Sequence, residues 1–131
     1  MSADNQQERL DAKWIVGFVD GEGCFHVSIN KLQKMTMGWQ VLPEFRVVQH
    51  QRDELVLQKL KSFFGFGKVM KNHDDRKEFR VRRFGDLNNL IKFFKENPLQ
   101  TSKQKNFELF AEIMDLINKR EHLTMEGLNK I

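Results

Sequence analysis

Apolar positions along this chain alternate between helical and strand spacing in a regular succession. From about Glu8 to Asp20, Leu10, Trp14, Gly17, Phe18 and, just beyond, Gly21 fall on one stripe, which predicts a helix that the glycines then end. Cys24 to Asn30 alternates strictly. Phe25, Val27 and Ile29 share one face and Cys24, His26, Ser28 and Asn30 the other, as a half-buried antiparallel strand requires. Lys31 to Gly38 reads as the turn or its flanks. A second strand, about Trp39 to Gln49, puts Val41, Phe45 and Val47 inward and Gln40, Leu42, Glu44 and Arg46 outward. Pro43 has no N–H to give to a ladder, so an edge position or a bulge is expected there.

The pattern then returns to helical spacing from about Arg52 to Phe64, through Val56, Leu57, Leu60, Phe63 and Phe64, with Gly65 placed for a left-handed cap. Strands follow at Gly67 to Asn72 and Lys77 to Phe84 around the polar turn His73 to Arg76. In the second of them Phe79 and Val81 point inward, and Glu78, Arg80 and Arg82 outward. Asp86 is a candidate cap for a helix carrying Leu87, Leu90, Ile91 and Phe94, which Asn97-Pro98 ends. A long helix from about Ser102 to Lys119 bears Phe107, Phe110, Ile113, Met114 and Ile117, and Thr124 is placed to cap a short terminal one. The order is helix-strand-strand-helix-strand-strand-helix-helix, with no linker or low-complexity tract. This is an α+β chain: a four-stranded antiparallel sheet with helices on one face. At 131 residues it is expected to be a single domain, spanning the whole chain and large enough to bury a core.

Charge changes the picture of the uncovered face. The chain nets +4, and Phe66 to Phe84 alone holds seven basic and three acidic residues, so the rest nets to zero. A face of this kind suits a polyanion, a solvated hairpin being the plainer reading. Its outward positions are His26, Ser28, Asn30, Gln40, Glu44, Arg46, Lys68, Asn72, Glu78, Arg80 and Arg82. Such side chains can hydrogen-bond base edges, and a curved ribbon of strands fits a DNA major groove. A single cysteine, Cys24, excludes an intramolecular disulfide. It forms no zinc-type spacing with the four histidines. No apolar run approaches the roughly 20 residues that span a membrane, and the polar N-terminus shows no secretory signal, so an intracellular protein is expected.

The candidate chemistry lies at Trp14 to Gly23, W-I-V-G-F-V-D-G-E-G, where an apolar helix ends in two acids separated and followed by glycine. Gly17 and Gly21 lie on one helical face, so a second helix can approach there closely. Glu22 sits at the tip of that seam, placed to hold a metal ion. Ile15 to Gly23 resembles the signature of the LAGLIDADG homing endonucleases in the variant ending D-G-E-G. The resemblance implies that family's fold, with its four-stranded antiparallel DNA-binding sheet, and cleavage of both strands of a long double-stranded DNA site. It implies further that Glu22, with the backbone carbonyl of Gly21, binds magnesium, while Asp20 accepts local hydrogen bonds at the helix end. A bland reading of both acids as turn residues stands beside it.

F-R-V-V-Q-H at Phe45 to His50 resembles the end of the family's second strand and implies a water-holding role for Gln49. Arg52 is the nearest match to a basic residue that family members carry shortly afterward. The run Thr101-Ser102-Lys103-Gln104-Lys105-Asn106 resembles the family's lysine-bearing segment and implies that Lys103 stabilises charge at the scissile phosphate. One Glu22 per chain makes a poor metal site, whereas two related by a two-fold axis make a good one. A homodimer is therefore expected, its interface on Gly17, Asp20 and Gly21. The family's genes usually lie in introns, which implies expression in an organelle or a bacterial cytoplasm. The rival reading is a binding protein on the same fold, either a maturase for intron RNA or a DNA-binding regulator without cleavage.

Overall fold

The computed structural model describes residues 10–32, 38–120 and 125–131, and its elements follow the expected order. They are α1 (Ala12–Glu22), β1 (Gly23–Lys31), β2 (Trp39–His50), a 3-10 turn at Gln51–Asp53, α2 (Glu54–Phe64), β3 (Lys68–Lys71), β4 (Arg76–Val81), α3 (Phe84–Glu96), α4 (Lys103–Asn118) and α5 (Met125–Lys130). Glu8, most of the turn before Gly38, and Thr124 lie outside the described residues.

α1 starts and ends later than its apolar stripe predicts. Asp11 caps it by accepting the Trp14 N–H at 2.7 Å. At the other end Gly21 and Glu22 are still helical, and the chain extends only at Gly23, whose N–H bonds the Val19 carbonyl. The helix turns Ile15 and Val19 fully into the core and leaves Trp14, Gly17 and Gly21 exposed. Two further boundaries differ from expectation. Phe84 opens α3 instead of closing a strand, and Asp86 lies in the first turn of α3, with Arg83 at the cap position. A carboxylate in the first turn still complements the helix dipole. Gly65 is the left-handed cap of α2 as expected, with φ 79° and its N–H on Lys61 O at 2.8 Å.

The sheet is antiparallel throughout in the order β1-β2-β4-β3. Pro43 causes no bulge; it pairs with Val27 in an unbroken register from Gly23↔Val47 to Lys31↔Trp39. Pairing of β2 with β4 begins only at Phe45, so Pro43 occupies a stretch where β2 has β1 as its one neighbour. An edge position is thus satisfied locally within a strand that is central elsewhere. The helices cover the face carrying Phe45, Val47, Phe79 and Val81, all buried. Phe25 meets Phe45, Phe94, Phe107 and Phe110 with ring centroids 5.1 to 5.8 Å apart, so β1, β2, α3 and α4 share one aromatic cluster. Gly67, at φ 92°, lies against the ring of Phe79, where a Cβ would come within 2.5 Å. Ile29 is a correction: it shares the core-side face with Val41 yet is 44% exposed, because the far end of the β1–β2 hairpin projects beyond the helices.

Candidate functional site

Three segments converge where α1 gives way to β1. The Asp20 carboxylate accepts the Gln100 N–H at 3.1 and 2.9 Å, the Thr101 N–H at 3.1 Å and the Thr101 hydroxyl at 2.8 Å. Desolvation by itself would raise its pKa. The hydrogen bonds from Gln100 and Thr101, with the charge of Lys103, outweigh that and hold it below the ordinary 3.8. The expectation for Asp20 is local bonds at the helix end; instead it fastens a segment 80 residues away in sequence. Thr101 Oγ1 in turn accepts the Lys103 N–H at 3.2 Å, and the Lys103 ammonium donates to the Gly23 carbonyl at 2.6 Å. A cation is thereby held one residue from Glu22. Glu22 is exposed and its carboxylate has no side-chain or backbone partner among the described residues. The Gly21 carbonyl beside it belongs to the last turn of α1, where the helix supplies no further donor.

These atoms fit a hard cation: oxygen donors only, on a solvent-facing edge, with room for water to complete an octahedron. Glu22 is a partial site. Among the described residues no three His, Cys, Asp or Glu side chains gather into a metal-binding group. Gln49 stands at the same end of the sheet, two residues past Val47, the partner of Gly23, and pairs across with Lys77. Arg52 lies in the 3-10 turn with its side chain 77% exposed and 3.8 Å from Asp53. Neither Gln49 nor Arg52 is hydrogen-bonded to Glu22 here.

The register carries the outward set onto one face. Cys24, His26, Ser28 and Asn30 pair with Arg46, Glu44, Leu42 and Gln40, and Arg80 pairs with both Arg46 and Lys68. Asn72 and Arg82 flank strands β3 and β4 and reach back onto this face. His26 Nε2 and Ser28 Oγ are 3.0 Å apart. Glu44 and Glu78 are corrections to the expected row of exposed base readers, because each is only 6% exposed. Glu44 accepts from Arg82 Nε at 2.8 Å and lies 3.6 Å from Arg46 Nη1. Glu78 accepts from Asn72 Nδ2 at 2.8 Å, while its other oxygen, buried and without a hydrogen bond, is 3.9 Å from Arg80 Nε. The reason is electrostatic. Arg46, Arg80 and Lys68 stand directly across from one another, an arrangement that is destabilising without counter-charge. The carboxylates supply it from beneath. The spacing Glu44-x-Arg46 and Glu78-x-Arg80-x-Arg82 is the sequence signal for this role, since residues two apart share a face.

Residues 15–114 match the family model described as LAGLIDADG endonuclease. A probable intron-encoded endonuclease 2 of Neurospora crassa is 34% identical over 125 residues, covering 93% of this chain and 28% of that protein. The crystal structure of the homing endonuclease I-TnaI superposes with a TM-score of 0.92 at 51% identity, over 94% of this chain and 84% of that one. I-SmaMI, a LAGLIDADG homing endonuclease whose structure was determined bound to cleaved DNA, gives 0.91 at 34% identity, over 94% of this chain and 42% of that one. The chain spans about a quarter of the length of three curated relatives it matches, 22% to 28%.

Proposed function

This chain belongs to the LAGLIDADG endonuclease family, and from that premise we propose that it is a site-specific homing endonuclease that hydrolyses one phosphodiester in each strand of a long, pseudo-palindromic DNA site. The observation that carries the proposal is the Lys103 ammonium fixed at 2.6 Å on the carbonyl of Gly23, the residue after Glu22, whose exposed carboxylate has no partner among the described residues. That pairing supplies a metal-binding anion and a cation for the negative charge that builds on a phosphate in the transition state.

Glu22 and the Gly21 carbonyl would hold magnesium, which when bound polarises the scissile phosphate and activates water. Asp20 orients Lys103 through Thr101. Gln49 is assigned to hold water at the sheet end, and Arg52 is the nearest second cation. Base edges are read by the open sheet face, with Arg46, Arg80 and Arg82 set in place by Glu44 and Glu78. Cutting both strands requires two such sites about a two-fold axis. Gly17 and Gly21 leave the outer face of α1 flat, since a Cβ at either would meet nothing within 4 Å. A second copy of the helix, in a homodimer, is proposed to lie there. As the product of an intron reading frame, the protein would act inside an organelle or a bacterial cytoplasm.

Incubating the purified chain with a randomised duplex library and magnesium, then sequencing the ends, tests the proposal. The expected result is paired cuts in both strands at one defined site. Specific binding without cuts would replace the nuclease by a regulator on the same fold.

A further inference from the structure

At the β3 edge of the sheet lies a hollow of about 540 Å³ lined by Lys61, Lys68, Arg80, Arg82 and Arg83, with Asp86 as its one acid and Gly65–Gly67 as a wall. It is built by four elements: the last turn of α2, the link to β3, the β3–β4 edge, and the start of α3. Lys61, Lys68 and Arg83 make no ion pair or side-chain hydrogen bond among the described residues. The five cations are therefore not neutralised within the fold except where Glu44 and Glu78 hold Arg82 and Arg80. The wall is fixed, because Gly65 and Gly67 both adopt positive φ and Gly67 packs on the Phe79 ring.

We propose that this hollow seats backbone phosphates of the DNA at the outer flank of each half-site, an inference that rests on the nuclease reading above. The chemistry selects phosphate over a base edge. A guanine edge also offers acceptors, but it is neutral, whereas a lining of five cations and one acid calls for a ligand that brings negative charge, which a phosphate does. The position selects the flank. α1 packs over β1 and β2, so β3 is the strand farthest from the Gly17–Gly21 seam in the order β1-β2-β4-β3. Lys68, Arg80 and Arg82 belong to both the open face and the hollow, which makes the hollow continuous with the base-reading surface around the sheet edge.

The test measures duplex binding by fluorescence anisotropy from 50 to 200 mM salt for the native chain, Lys61→Gln/Arg83→Gln, and Lys92→Gln/Lys95→Gln as a control with the same charge loss on the helix layer. For every phosphate no longer neutralised, the log–log salt slope should flatten by about 0.9 and Kd should rise roughly tenfold near 0.1 M salt. The hollow variant should release one or two phosphates in this way, equally on all base-substituted sites, and the control none. An unchanged slope, or equal losses of affinity in both variants, would overturn the assignment. So would inorganic phosphate shifting the Gly65 and Gly67 amide resonances while the DNA slope stays unaltered, which would make the hollow a free-anion site. A native chain with no salt-dependent DNA binding would instead sink the nuclease reading itself.

Discussion

Asp20→Asn separates a positioning role from a metal-binding one. Three donors converge on the carboxylate, all three on Oδ1 and one of them also on Oδ2. Asparagine keeps its carbonyl at Oδ1 and turns an NH2 toward the Gln100 N–H, so the contacts to Oδ1 survive without charge and the fourth becomes donor against donor. Hydrogen bonds to a charged acceptor contribute about 1.5–3 kcal/mol against about 0.5–1.5 for neutral ones, a loss of about 1 kcal/mol per donor. Gln100 and Thr101 are exposed, and water can serve them in part, which brings the total near 1.5 kcal/mol. For a domain of this size that lowers Tm by about 3 to 6 °C. Cleavage should slow by no more than about tenfold, the limit if the whole loss reached the transition state. The sign of the pH dependence follows from a depressed folded pKa. Asp20's contribution is fully present above the ordinary 3.8 and fades as pH falls through the lower folded value, so the gap between native and variant closes only in strong acid. Thermal melts from pH 7 to pH 2, with cleavage rates at pH 7, measure this. Unchanged stability at pH 7 with cleavage abolished would instead make Asp20 a metal ligand.

Lys103→Ala should slow cleavage far more than it weakens DNA binding, as expected of a group serving the transition state; equal losses would demote it to a backbone contact. Glu44→Gln should free Arg82 and Arg46, cost about 1–3 kcal/mol of stability and broaden base preference in a binding-site selection, because the arginines lose their fixed aim. Preference and stability both unchanged would remove that role. Gly17→Leu should lower dimer stability and cleavage together by forcing the α1 helices apart; sedimentation showing a native monomer that still makes double-strand cuts would contradict the seam.

Element order and sheet face were legible because periodicity reports which side of an element is apolar, and Gly65 and the Phe79–Arg82 alternation report it plainly. Other features depend on tertiary contacts that periodicity does not encode. Nothing near Asp20 in sequence marks Thr101 as its donor, and nothing local fixes the order β1-β2-β4-β3. Alternation assigned Glu44 and Glu78 to the open face correctly but says nothing of depth, which the crowd of arginines above them decides. Ile29 failed in the opposite sense: its face was right, but the helices end before they reach it. Gly21 failed as a stop signal because a helix tolerates glycine when the next element, here β1, begins only at Gly23.

In the proposed nuclease, Glu22 serves the cut and not the fold or the grip on DNA. Its side chain is exposed and has no hydrogen-bond partner among the described residues, so Glu22→Gln keeps shape and removes only a charge. Side-by-side measurement of magnesium-dependent cleavage and of DNA affinity in calcium should show cleavage abolished, with Kd within a few-fold of native. Normal cleavage by Glu22→Gln in magnesium would take the metal-binding role away from Glu22.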